Sequence, residues 1–314
     1  MTDIKVEDYL TDWLQAQKHR LKASTYDGYR TIIVNFVIPA FGSKTLNQLR
    51  RKEIKDWLAS MTCSNKRMNN IQSVIRKALS DAVDDELLEN NIMSNFSYQK
   101  KDSPKEYDDI DPFTKEEQQA ILAVCPLDVA AQFQFLFWSG LRTSEFIALD
   151  WNQIDFFMKE ARISKAITQA SRGIAEVPKT KAGHRRIKLL RPALDALVLQ
   201  KQFSYEKGKA VFLNPTTGRR WTGDSPIRKL WVQTLDLANV RYRRPYQTRH
   251  TYASMMLSAG ENPMWVAQQM GHNDWTMIAR IYGRWMPSAN ENAGQKAESI
   301  FANSVLSYYK DLNY

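Results

Sequence analysis

The stretch SYQKKDSPKEYDDIDPF, Ser97 to Phe113, limits what this chain can fold into more than any other. It is polar, highly charged and interrupted by Pro104 and Pro112, so no helix or strand runs through it. Directly behind it, Thr114 and Glu117 in TKEEQQAIL form the S/T-x-x-E capping box that opens a helix. The segment therefore reads as a linker over residues 98–111, between a domain at 1–97 and a domain at 112–314. A length of 314 residues accommodates two domains of ordinary size.

The two sides of the linker differ in periodicity. Before it, VEDYLTDWLQAQK carries a helical stripe of Val6, Tyr9, Leu10, Trp13 and Leu14. A second helix is expected to start near Ser24 or Thr25, both competent N-caps, and to end at Pro39 and Gly42. Its stripe runs through Tyr29, Ile32, Ile33, Phe36 and Val37. RKEIKDWLASM and SNKRMNNIQSVIRKALSDAVD supply two more helices. No β-like alternation occurs here. After the linker the chain is helical through AAQFQFLFWSGLRTSEFIAL, and then ARISKAIT, GIAEVPKT and HRRIKLL follow as short strand-compatible pieces divided by SRG and KAG. Helices resume at PALDALVLQKQF, SPIRKLWVQTLDLANV, TRHTYASMMLSAG and NPMWVAQQMGH, and the tail AESIFANSVLSYYK is amphipathic. The fold class read from this is mainly α with a small antiparallel β-sheet: an all-helical N-terminal domain followed by a mixed α/β one.

The net charge is +10 and the isoelectric point about 9.4, with both sides of the linker net basic. That favours a polyanionic partner, nucleic acid ahead of an anionic membrane surface. No run of about 18 apolar residues offers a membrane span, and the acidic, polar start MTDIKVEDYL is not a secretory signal. Two cysteines without metal-ligand spacing, Cys63 and Cys125, suit a reducing, cytoplasmic setting and no structural zinc. GxxxxGK[ST], GxGxxG, HExxH and GxSxG are all missing, which removes the common nucleotide-binding and hydrolase readings.

What remains is a scatter of cationic residues at element ends in the second domain: Arg142 in SGLRTSE, Lys179 and Lys181 in PKTKAG, Arg249 in YQTRH and His272 in MGHND, followed by Tyr282 in RIYGRW. Such a set can transfer a phosphoryl group without a metal. Guanidinium forks bind non-bridging phosphate oxygens and stabilise the charge of the transition state. A lysine can protonate a leaving alkoxide. A tyrosine can attack, provided neighbouring positive charge favours its phenolate, since its ordinary pKa is about 10. Taken singly, each has a plainer reading as a surface cation, a hairpin tip, a helix cap or a packing aromatic. Their combination and order carry the argument.

That order resembles the tyrosine recombinase (phage integrase) family over nearly the whole chain. SGLRTSEFIALDW resembles the family's first arginine box, which makes Arg142 a phosphate-binding arginine and Glu145 its supporting acid. VPKTKAGHRRIKL resembles the hairpin that carries the catalytic lysine, a role for Lys179 with Lys181 as the alternative. YQTRHTYASMML resembles the second arginine box, giving Arg249 as the second phosphate clamp, with His250 expected to hold the helix in the core. Where the family usually has histidine, this chain has Tyr246, which implies a phosphate contact without a general-base role. VAQQMGHNDWTMIARIYGRW resembles the terminal box: His272 would hydrogen-bond the scissile phosphate and Tyr282 would attack it. The N-terminal helices are similar to the family's SAM-like core-binding domain.

The resemblance implies a site-specific DNA recombinase that needs no metal or cofactor and works through a 3′-phosphotyrosyl intermediate, serving a phage or mobile element. Its partners would be double-stranded DNA attachment sites, with a homotetramer on DNA, accessory DNA-bending or directionality proteins, and no membrane; its place would be the nucleoid. Lys66, Arg67, Asn69 and Asn70 are expected to contact DNA. The C-terminal ESIFANSVLSYYK helix would dock onto a neighbouring protomer or pack in cis. Two alternatives stay open: a catalytically impaired DNA-binding relative, and a DNA-relaxing enzyme like the type IB topoisomerases.

Overall fold

In the computed structural model, which describes residues 4–101, 110–177 and 181–286 together with Gln295, Glu298 and Ser299, the helical stripes become buried faces. The chain forms two compact units, Met1–Asp108 with Thr168–Arg172, and Asp109–Ile167 with Gly173–Tyr314. The tail expected to form a last helix lies, apart from two residues, outside the described residues, as does most of the linker.

The first unit holds α1 (Val6–Gln17), α2 (Ala23–Ile32), α3 (Ile38–Phe41), α4 (Arg51–Ser60) and α5 (Asn65–Asp84). Ser64 caps α5 by accepting from the Arg67 N–H at 3.3 Å. The expected start of α2 at Ser24 or Thr25 is corrected: the chain turns at extended Lys22, whose carbonyl accepts from the N–H groups of Thr25 and Tyr26. The helical run ends at Gly42, as expected, but Pro39 lies inside it rather than ending it. A π turn over Ile33–Val37, closed by the Ile38 N–H on the Ile33 carbonyl, precedes α3 and widens the backbone ahead of the proline ring. That spares the clash with the preceding turn that an α-helical proline suffers.

The second unit begins with the foreseen capping box. The Thr114 N–H donates to Glu117 Oε2 at 2.9 Å and the Glu117 N–H donates to Thr114 Oγ1 at 3.2 Å, opening α6 (Lys115–Ala123). Then come α7 (Leu127–Ser139) and α8 (Thr143–Ile147). An antiparallel sheet follows, β1 (Ile154–Asp155), β2 (Glu160–Ile163) and β3 (Arg185–Lys188), with β2 in the middle and Ala161 opposite Ile187. Among its described residues, 173–177, GIAEVPKT, expected as a strand, makes only an isolated bridge between Ala166 and Glu176. Its apolar Ile174 and Val177 are exposed, so no packed face rewards an extended strand.

The unit closes with α9 (Arg191–Ser204), α10 (Asp224–Leu237), α11 (Gln247–Ser258), α12 (Pro263–Met270) and α13 (Thr276–Tyr282). Its core is aromatic: Trp231 meets Phe133 at 4.8 Å and Phe113 at 5.6 Å, edge to face in both pairs. Phe113 also ties the incoming chain to α11, because its N–H donates to Thr251 Oγ1 at 3.0 Å. A second cluster of buried apolar residues joins α11, α12 and α13 through Tyr252, Leu257, Val266, Met270, Ile278 and Tyr282.

Candidate active site

Two glycines set where the cationic side chains meet. Gly140 ends α7 in the left-handed region at φ +64°, and a Cβ there would lie 2.6 Å from the Tyr252 ring of α11. One turn ahead of Tyr252, Arg249 lies against the same corner, and its Nη1 donates to the Gly140 carbonyl at 2.6 Å. Gly271 ends α12 at φ +69°, with Arg185 Nη1 and the Ala182 carbonyl at 2.7 and 2.8 Å from where its Cβ would be. Gly271→Ala is therefore expected to destabilise the protein by about 1–3 kcal/mol and to push Arg185 off its partners. Thermal unfolding of the variant measures the first effect, and adduct formation on DNA measures the second.

The last carbonyls of α12 lack intrahelical partners and form the negative end of its dipole. Arginines take three in succession. Arg185 Nε donates to the Gln269 carbonyl at 2.7 Å, Arg249 Nη2 to that of Met270 at 2.7 Å and Arg142 Nη2 to that of Gly271 at 3.3 Å. The Lys188 N–H donates to Gln269 Oε1 at 3.0 Å, which docks β3 on the same helix end. Arg249 is 1% exposed. Burial lowers its pKa to about 10, with the charge of Arg142 adding to that and Tyr246 opposing it; it is still a cation at neutral pH.

Glu145, 3% exposed, is the counter-ion that allows such crowding. Its Oε1 accepts from Arg142 Nη1 at 2.8 Å and from Arg185 Nη1 at 3.1 Å, and its Oε2 accepts from Arg185 Nη2 at 3.0 Å. Burial alone would raise its pKa. The Arg185 hydrogen bond and charge, joined by the Arg142 charge, overcome that and hold it at about 2, against an ordinary 4.5. The sign follows from the lowered value: this stabilisation is complete above about pH 5 and is lost as the pH falls from there toward 2. Thermal midpoints measured across that window should drop, and the drop should be smaller in a Glu145→Gln variant.

His272 Nε2 lies 3.1 Å from Arg249 Nη2. Since the arginine can only donate, the imidazole accepts there and carries its proton on Nδ1. Burial, then the charges of Arg249, Arg142 and Arg185, push its pKa down to about 4, so it is neutral at pH 7.

Tyr282 comes from α13, one turn beyond buried Ile278, and is itself 2% exposed. Its ring packs against Trp285 at 5.9 Å between centroids, and its hydroxyl lies 2.7 Å from His250 Nδ1. Burial raises the phenol's pKa above its ordinary value, while the Arg249 charge works the other way. His250 was expected only to hold its helix in the core. It is half-buried and turned instead onto the Tyr282 hydroxyl, because its place next to Arg249 on α11 faces α13. Tyr246, at the start of α11 and 42% exposed, sets its ring edge-on to His250 at 5.2 Å.

The geometry thus brings together Arg142, Glu145, Arg249 and His272, and places His250, Tyr246 and Tyr282 around the first turn of the same helix α11. Lys179 lies outside the described residues, and so does the side chain of Lys181. Arg185 was not singled out from the sequence, although RRIK carries the signal: it shares its strand face with fully buried Ile187. Three guanidiniums against one carboxylate leave a positive excess suited to an anion. In the first unit, Lys66, Asn69 and Asn70 are exposed and lie three and four residues apart, hence on one face of α5. Arg67 folds over the Phe36 ring at 4.8 Å. None of the helices among the described residues is long and apolar enough to cross a membrane.

Known proteins resemble this chain in sequence and in fold. The profile described as the phage integrase family matches residues 111–287, and that of the phage integrase N-terminal SAM-like domain matches residues 5–62. A relative described as the defective protein IntQ of Escherichia coli (strain K12) is 28% identical over 93% of this chain and 82% of its own length. Prophage integrase IntR of the same strain is 31% identical over 58% of this chain and 49% of its own. Among solved structures, the Tn1549 transposon integrase in complex with a circular intermediate DNA superposes with a TM-score of 0.72 at 17% identity, covering 95% of this chain and 99% of that one. A lambda integrase dimer bound to a COC′ core site gives 0.68 at 14% identity, over 88% and 77%.

Proposed function

The chain belongs to the phage integrase family and is a tyrosine-type site-specific recombinase; from that premise we propose that Tyr282 cuts DNA by attacking the scissile phosphate within the Arg142, Arg249 and His272 cluster. The phenol oxygen bonds to phosphorus, the bond to the 5′ oxygen breaks, and a 3′-phosphotyrosyl link results. Lys179, or Lys181 in its place, gives the departing 5′ oxygen its proton. The 5′-hydroxyl of a partner strand then reverses the step, so the bond energy stays in the ester and no nucleotide is consumed. Arg142 and Arg249 hold the non-bridging oxygens and spread the transition-state charge. Glu145 and Arg185 fix Arg142, and the Met270 and Gly140 carbonyls fix Arg249.

One observation carries the assignment of roles. Arginines from just before α8, from β3 and from α11 converge on three consecutive carbonyls at the end of α12, those of Gln269, Met270 and Gly271, with the Tyr282 hydroxyl on the residue next to Arg249. In such a cluster the protein itself orients the donors. Residues 1–97 would form the core-binding domain, with the exposed α5 face of Lys66, Asn69 and Asn70 and nearby Arg67 on DNA phosphates, and residues 112–314 the catalytic domain, joined by 98–111. The working form would be a homotetramer holding two attachment sites, acting in the cytoplasm at the nucleoid, with DNA-bending or directionality proteins as accessories.

The test is a suicide-substrate assay: nicked duplexes from the protein's own attachment region, incubated in EDTA, examined for an SDS-resistant protein–DNA band. A band establishes metal-independent covalent cleavage. Binding to that DNA without a band would favour the second reading, a DNA-binding relative that lost its chemistry where Tyr246 replaced histidine.

A further inference from the structure

Tyr246 is a phenol and a poor proton acceptor at neutral pH, which leaves open which group takes the nucleophile's proton. We infer that His250 is the proton acceptor of Tyr282, working through the Nδ1 that already meets the phenol hydroxyl. This rests on the reading of Tyr282 as the nucleophile. The distance of 2.7 Å is that of a direct hydrogen bond, and no other ring nitrogen competes for that hydroxyl among the described residues: His272 is engaged with Arg249. Tyr246 touches the imidazole only through its ring edge, and a phenol is a poor acceptor at neutral pH.

The groups facing His250 decide its protonation state. Arg249 stands beside it on α11, Tyr246 at the start of that helix, and Tyr282 across from it on α13. Burial and then the Arg249 charge lower its pKa to about 4. The ring is therefore neutral at pH 7, with Nδ1 free to accept and the proton on Nε2. A bound DNA phosphate places negative charge against Arg249 and offsets the part of this lowering that comes from the Arg249 charge. Arrival of the substrate would thus strengthen the base at the moment it is needed.

The step balances. The phenol O–H bond breaks and its proton passes to His250 Nδ1; the oxygen bonds to phosphorus; the bond to the 5′ oxygen breaks, and that oxygen takes a proton from the lysine. His250 leaves the step as an imidazolium and returns the proton to Tyr282 when the strand is rejoined.

Single-turnover adduct formation on a nicked attachment duplex, followed from pH 6 to 9, tests this in wild type, His250→Ala and His250→Asn. Gel-shift binding and thermal midpoints verify that each variant folds and binds. The wild-type rate should vary little between pH 6 and 8. His250→Ala should be slower by about 100-fold or more at pH 7, and its rate should climb close to tenfold per pH unit, because only phenolate then reacts. His250→Asn can accept the hydrogen bond but cannot take a proton, so it should stay slow. A wild-type rate and pH profile in His250→Ala, a faster rate in that variant, or full rescue by asparagine would each overturn the assignment. NMR of the histidine nitrogens gives a readout apart from cleavage: the Nε2–H tautomer is expected, and an Nδ1–H tautomer would overturn the proposal. If wild type itself binds and yields no adduct, the nucleophile reading falls and this inference falls with it.

Discussion

Tyr282→Phe is expected to abolish the covalent protein–DNA adduct while leaving a folded, DNA-binding protein. The ring is buried against Trp285 within the α11–α13 cluster, and phenylalanine fills almost the same volume. What is lost is one hydroxyl and its hydrogen bond to His250, at a cost of about 1 kcal/mol. For a domain of this size, that lowers the thermal midpoint by about 2–4 °C. The chemistry responds very differently, because removing the nucleophile removes the route itself. Adduct should fall on the order of 10⁴-fold or more, below detection in a gel. The contrast between a small loss of stability and a total loss of adduct is the signature of a group that reacts. An adduct that persists in Tyr282→Phe would mean that another residue attacks. Tyr246 would then be the first to replace, since its phenol is exposed beside the same helix start.

Much of this site is legible in the sequence for a definite reason. Arg142 and His272 each follow a glycine that ends a helix, and Arg249 sits in the first turn of α11, so local signals mark all three as residues at element ends. The capping box of Thr114 and Glu117 and the stripe of α1 are likewise local, and they fold as read. What local patterns do not carry is convergence. Arg142 and Gly271 meet across 129 residues, and Arg185 reaches Glu145 across 40, so neither partner can be named from spacing. His250 shows the same limit: its neighbours on α11 suggest a core histidine, while its partner comes from another helix. The missed features of the fold are cases where a weak local preference lost. Ser24 and Thr25 are good caps, but the backbone turns earlier at Lys22, and a π turn accommodates Pro39.

Glu145→Gln should cause the largest loss of stability of any single conservative change in the site. The carboxylate is buried and shared by Arg142 and Arg185. Glutamine keeps the size and one acceptor oxygen but leaves two guanidiniums without their counter-charge. Breaking a buried ion pair from one side costs about 3–5 kcal/mol, most of it from the stranded charge. A fall in the thermal midpoint of roughly 6–20 °C is the corresponding expectation. Adduct formation should drop as well, even at temperatures where the variant is folded, because Arg142 is one-third exposed and Glu145 is what fixes its direction. The double variant Glu145→Gln with Arg185→Met separates the two effects. Removing the second cation relieves the stranded charge and should recover part of the stability, giving a coupling energy well outside additivity. It does not restore an anchor for Arg142, so cleavage should stay low while the midpoint rises. Should the single variant unfold within about 1 °C of wild type, Glu145 would not be the counter-ion on which the packing of these arginines depends.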